Sequence, residues 1–273
     1  MSADELPHGA IPKFKPRDKH HRRLFGGHND VPFLFTTFTN AAWFVNRPTA
    51  MDAMLSSQQK LILANVEDDD LLYGRRPDDE VERVEALKPA FYIPSDRWVY
   101  EHTMTKREQL EEIDKCLQWT REVTERVRAR SDLPTRIIPI AKGWEEWHFE
   151  RCCEAFMDLG LSYCAFDVTQ YPSGEMVVED VTRLVDVVNP TGVLLIGRLA
   201  KDTLQDCPRE VVAATGVNQW LENCQASGVG FSRQKYSDWA AETNKALFSV
   251  QAELGDFAQE STETRLTSNP TET

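Results

Sequence analysis

Short apolar runs rich in β-branched and aromatic residues alternate with amphipathic stretches along most of this chain, and that alternation limits the fold more than any other feature. Residues 31–38 (VPFLFTTF), 60–66 (KLILANV), 91–93 (FYI), 136–141 (RIIPIA), 162–166 (SYCAF) and 191–197 (TGVLLIG) read as six strands. Runs such as KLILANV are continuously apolar, as strands covered on both faces must be. Helical periodicity fills the intervals: weakly over 40–56, where Pro48 interrupts it, then over 78–87, 106–130 and 145–159. The helix at 106 opens with Thr105 and Glu108 in capping-box spacing, and Gly160 closes the helix at 145–159. A further helix carries Val181, Leu184, Val185 and Val188, one passes through 208–214, and the last spans 236–254. Repeated strand–helix units demand a parallel sheet with right-handed crossovers. The expected class is α/β, a (β/α) barrel of TIM type, irregular or incomplete in places. An open doubly wound sheet is the competing arrangement, but no G-x-G-x-x-G or P-loop accompanies the strands.

The 273 residues divide into a basic N-terminal arm over 1–30, the barrel over 31–254, and a polar, aperiodic, disordered tail over 255–273. No apolar stretch is long enough to span a membrane, and residues 1–23 lack the apolar core of a signal peptide, so a cytoplasmic protein is expected. The six cysteines show no C-x-x-C spacing and read as reduced thiols in the core. His102 and His148 stand alone, with no H-E-x-x-H or G-x-S-x-G. Neither a metal nor an organic cofactor is expected.

The net charge of −13 argues against a generally basic nucleic-acid binder, and the abundance of acids also suits a protein kept soluble in high salt. The charge is uneven, however. Within 13–23 (KFKPRDKHHRR) stand Lys13, Lys15, Arg17, Lys19, Arg22 and Arg23 against one acid, Asp18. Such an arm either touches phosphates or is a solvated tail.

In a parallel α/β protein, reactive groups collect beyond the carboxyl ends of the strands. Those positions hold Asn65, Glu67 and Asp68, then Ser95 and Asp96, then Lys142 and Gly143, Asp167 and Gln170, and Arg198. Carboxylates there offer proton transfer or nucleophilic attack, and the cations and amides offer donors to an anion or a base edge.

The segments LILANVEDDD, KPAFYIPSDRWVYEHTMTKREQLEEI, RIIPIAKGW, DLGLSYCAFDVTQY and VLLIGRLAKDTLQDCP, with the closing helix ETNKALFSVQ, follow one another in a telling order. In succession and spacing, from about Lys60 to Val250, the chain resembles the tRNA-guanine transglycosylase superfamily. Within it, the likeness is to the shorter archaeal and viral members that place 7-deazaguanine bases in DNA. The resemblance implies a barrel pentosyltransferase whose partners are DNA or tRNA and a 7-deazaguanine base. It makes Asp96 a base-contacting aspartate and puts Lys142-Gly143 where the family has a Gln-Gly pair. Phe166-Asp167 falls at a Gly-Gly pair of the pocket wall, and Gly197 at the glycine before the nucleophile. Asn65 lies near the expected acid.

The chain also departs from the family. D-S-G-G-F is absent, the Cys/His zinc cluster is missing, and the nucleophile segment, residues 213–220 (AATGVNQW), contains no aspartate. An active enzyme must therefore take its nucleophile from another strand end. Asp167 is the choice, with Asp96 gripping the base and Asn65, Asp68, Lys142, Gly143, Gln170, Gly197 and Arg198 around it. The competing expectations are a catalytically silent barrel that binds nucleic acid or a partner modification enzyme, and an unrelated small-molecule enzyme using Asp96, Asp167 and Lys142. A homo- or hetero-oligomer is compatible with either.

Overall fold

The computed structural model describes residues 5–72, 74–94, 96–99, 103–225 and 230–249. It opens with a strand that the apolar pattern does not signal. β1 (Gly9–Pro12) leads to α1 (Lys19–Phe25), β2 (Phe33–Thr37), α2 (Phe38–Val45), α3 (Pro48–Met54) and β3 (Lys60–Ala64). Next come α4 (Asp69–Leu72), α5 (Pro77–Leu87), β4 (Phe91–Ile93), α6 (Lys106–Arg128), β5 (Arg136–Ile137) and β6 (Ile140–Ala141). The chain continues through α7 (Glu146–Asp158), β7 (Tyr163–Asp167), α8 (Gly174–Val188), β8 (Gly192–Ile196), α9 (Lys201–Asp206) and β9 (Val211–Gly216). It closes with α10 (Asn218–Cys224) and α11 (Arg233–Leu247).

The class is α/β, as the alternation requires. Among the described residues, every pair of these strands is parallel, in two sheets of order β1-β9-β8-β7-β6 and β2-β3-β4-β5. These are two hydrogen-bonded sheets, not one continuous ladder. They meet at two places. A parallel bridge pairs Lys13 with Phe35, and the Phe14 N–H donates to the Phe35 carbonyl at 2.8 Å. On the other side, residues 136–141 serve both sheets: β5 pairs with β4, and β6 with β7. Between them the Ile138 N–H reaches the Tyr92 carbonyl at 2.9 Å and the Pro139 carbonyl accepts from Ala165 at 2.8 Å. Pro139 has no N–H to give, so the expected single strand divides around it.

Alternate residues of the strands point to opposite faces and build two cores. One contains Ile11, Phe33, Phe35, Ile62, Ala64, Phe91, Ile93, Ile140, Ala165, Leu194, Ile196 and Ala213, drawn from strands of both sheets. The other joins the opposite strand faces (Leu34, Leu61, Tyr92, Cys164, Leu195) to the helices through Ile113, Phe149, Val181, Leu184 and Trp220. Each large side chain fully withdrawn from water contributes about 1.5–3 kcal/mol. On α6 the capping box forms as the sequence predicts, with the Thr105 N–H donating to Glu108 at 2.7 Å.

Two expectations are corrected. Residues 1–30 are not an arm: among those described, β1 pairs along its length with β9, and α1 packs His21, Leu24 and Phe25 inward. The segment is tied down further by the Tyr163 hydroxyl on the Pro7 carbonyl at 2.7 Å and by Asn244, which accepts the Ala10 N–H at 2.6 Å. The predicted helix through 208–214 is instead strand β9, because Val211 and Val212 favour extended backbone and a short apolar run carries no decisive period. The expected tail over 255–273 and the end of the last helix lie outside the described residues, as do Ser95 and His102. Among the described residues, no helix is long and apolar enough to cross a membrane.

Candidate functional site

Parallel strands deliver their carboxyl ends to one side of the molecule, and a cavity of about 680 Å³ opens there. Asp68, Asp96, Lys142, Gly143, Asp167 and Gln170, all expected from their strand-end positions, line it. So does Lys13, which follows β1 and was expected to contact phosphates from an arm. The walls also contain Trp98, Trp144, Phe166 and Tyr171.

Asp96 and Lys142 form the innermost polar contact. The Lys142 ammonium lies 2.7 Å from Asp96 Oδ1, and both side chains are largely buried. The Asp96 N–H donates to the Asn65 carbonyl at 3.1 Å, and its Oδ1 accepts the Arg97 N–H at 2.7 Å, which fixes the loop after β4. Burial pushes the Asp96 carboxyl above its ordinary range, Lys142 opposes that shift, and the Asp167 carboxylate adds to it. Burial also disfavours the charge on Lys142, but the contact with Asp96 outweighs it, so the ammonium is held above its usual value and the proton stays on lysine.

Asp167 ends β7. Its Oδ1 accepts the Thr169 hydroxyl and, at 3.0 Å, the Thr169 N–H. It makes no ion pair among the described residues. Lys13 faces it: burial lowers the Lys13 ammonium, and the charges of Asp167, Glu67 and Asp68 work the other way. On the far wall Asp180 accepts from the Tyr171 hydroxyl and from Arg183, both at 2.8 Å. Arg183 also donates to the Trp144 carbonyl, so α8 braces the two loops that carry the aromatic walls.

Three expected residues do not reach this space. Asn65 is fully buried; its amide donates to Glu80, and its carbonyl oxygen accepts from Arg75, which also pairs with Glu67. It is a support for the loop after β3. Gly197 lies against Thr169, where only a residue without Cβ fits: the added atom would stand 2.5 Å from the Thr169 hydroxyl, at a φ of +107°. Arg198 turns back to the Tyr171 carbonyl at 3.2 Å. The remaining basic residues of 13–23 also stand elsewhere. Lys19, Arg22 and Arg23 line a second groove, and Lys15 and Arg17 are exposed.

Sequence reasoning missed Trp98, Trp144, Tyr171 and Asp180. The first three lie within a few residues of a strand-end position, so that rule could have reached them. Asp180 sits on α8 and has no such signal.

No protein-family model matches the chain, and neither does any curated protein.

The cavity lining holds six acids, Glu67, Asp68, Asp69, Asp96, Asp167 and Asp180, against Lys13 and Lys142. Phosphate is repelled from such a space, whereas a neutral ring with donor edges can stack on the aromatic walls and hydrogen-bond to carboxylates. Two carboxylates in different settings, one bound to an ammonium and one held only by hydroxyl and amide donors, can divide a displacement at carbon between them.

Proposed function

We propose that the two sheets are the halves of one (β/α) barrel, and that its strand-end cavity exchanges a base at C1′ of a nucleotide in DNA or tRNA. Guanine leaves and a 7-deazaguanine enters, in the cytoplasm. The observation that carries this reading is the placement of Asp167, without a cation partner among the described residues, in the same aromatic-walled cavity as the lysine-bound Asp96. The shared core between the sheets and the bridge at Lys13 support the barrel.

In the first step an Asp167 oxygen attacks C1′, and the glycosidic bond breaks with its electron pair passing to guanine, which takes up a proton from water that the incoming base gives back in the second step. In the second, the ring nitrogen of the incoming base attacks C1′, gives up its proton and releases the Asp167 carboxylate. The logic is that of a retaining glycosidase. Asp96 grips the base edge, Lys142 keeps that carboxylate oriented, and Trp98, Trp144 and Tyr171 hold the ring once it has left its stack. The negative lining keeps the phosphates at the rim.

The test is incorporation or release of labelled guanine with DNA and with tRNA. Wild type should exchange, and Asp167→Asn should fall to background while folding normally. Exchange that persists in Asp167→Asn assigns the nucleophile elsewhere. A second reading, a binding barrel without catalysis, is favoured by the aspartate-free segment 213–220, which forms the end of β9 and the start of α10. Nucleic-acid binding with no exchange in the wild type would select it.

A further inference from the structure

A second cavity, also about 680 Å³, is lined by Lys19, Arg22, Arg23, Gly26, Gly27 and Trp43, with residues of α3 and the chain after it. Gly26 and Gly27 lead into β2, and Leu55 and Ser56 lead toward β3. The groove therefore opens at the amino ends of these strands, away from the carboxyl-end cavity. Lys19, Arg22 and Arg23 are spaced i, i+3, i+4 on α1, which puts all three on one face.

The charge of this face is out of keeping with the chain. The protein carries 44 acids against 31 lysines and arginines, and many of its other surface cations, among them Lys88, Arg107, Arg126, Arg130 and Arg151, sit in ion pairs. Yet Lys19, Arg22, Arg23 and the neighbouring Arg47 make no ion pair among the described residues. Among the described residues, no acid lines the groove. The nearby Asp18 is engaged at the start of α1, where it accepts the His20 N–H at 2.7 Å. Trp43 is flanked by the Arg22 and Arg47 guanidinium groups at 4.9 and 5.2 Å, and Arg22 also donates to the Pro16 carbonyl at 2.5 Å, which fixes it beside the groove. A cluster of unneutralised cations on an otherwise acidic protein makes a local positive field that attracts a polyanion.

We infer that this groove binds the phosphodiester backbone of a single-stranded nucleic acid. It is a contact surface separate from the strand-end cavity, and it rests on nucleic acid as the partner but not on base exchange. Arginines and a tryptophan beside a row of cations suit a flexible strand, with phosphates on the cations and a base edge near the ring.

The experiment measures binding of a labelled oligothymidine, which has no guanine to exchange, as salt is varied. Wild type should bind with an affinity that falls steeply with salt. Lys19→Gln/Arg23→Gln should lower the log–log slope by roughly 1.4, at about 0.7 per single-strand phosphate. Lys19→Arg/Arg23→Lys should keep the wild-type slope, and equal thermal melts show that the fold is kept. An unchanged slope in the double glutamine variant overturns the inference, as does a wild type that binds anionic vesicles or inorganic phosphate but not oligothymidine.

Discussion

The backbone of Gly143 lies directly against the imidazole of His148. Gly143 has a φ of +99°, and a Cβ placed on it would stand 2.5 Å from both Cβ and Cγ of His148. The His148 Nδ1 in turn accepts the N–H groups of Trp144 and Glu145 at 3.2 and 3.1 Å. One ring thus shapes the loop that presents Lys142 and Trp144 to the cavity. Gly143→Ala should cost about 2 kcal/mol or more, from positive φ and overlap together, read as a lower denaturant midpoint.

The same ring gives stability a pH dependence with a definite sign. Burial, with the Lys106 charge adding to it, lowers His148 from its ordinary 6.5 to about 4. Well above pH 6.5 the ring is neutral in both the folded and unfolded chain and contributes no slope. As pH falls below that value the unfolded chain takes up a proton that folded His148 refuses, so stability declines until about pH 4. His21 and His28, both lowered chiefly by burial, act in the same direction. Urea unfolding across this range should show the decline, and His148→Gln should make it shallower.

Lys142 and Asp96 are coupled through a contact that water barely reaches. Lys142→Met removes the ammonium at 2.7 Å and leaves a buried carboxylate, at an expected cost of about 3 kcal/mol. Adding Asp96→Asn should restore a substantial part of that stability. If the two losses simply add in a double-mutant cycle, the pair does not stabilise this loop.

Gly197 governs Asp167 through Thr169. Gly197→Ala would press on the Thr169 hydroxyl that holds the Asp167 carboxylate. The variant should lose about 2 kcal/mol of stability. On the proposed base exchange, its rate should fall by more than that of Thr169→Ala, which removes the hydroxyl without crowding the backbone. Equal stability to wild type would show that the loop yields without strain.

The class of the fold was legible because it depends on local periodicity. Runs such as KLILANV and TGVLLIG carry their strand signal in a few consecutive residues, and the Thr105 and Glu108 cap of α6 is a relation over one helical turn. The strand-end rule likewise reached Asp96, Lys142 and Asp167, since a residue just past a parallel strand must emerge on the functional side. Strand β1 was not legible. Gly9–Pro12 is a strand only because β9 offers it partners some 200 residues away, and a pairing of that separation leaves no local trace. The basic run at 13–23 reads as one feature in sequence, yet the turn between β1 and α1 sends Lys13 to the carboxyl-end cavity and Lys19, Arg22 and Arg23 to the groove at the other end. Asn65 shows the same limit: its side chain was drawn inward by Glu80 and Arg75, contacts that exist only once α5 has packed against the strands. Local chemistry specified the elements and the ends where reactive groups collect, and the long-range packing of those elements decided which charges face one another.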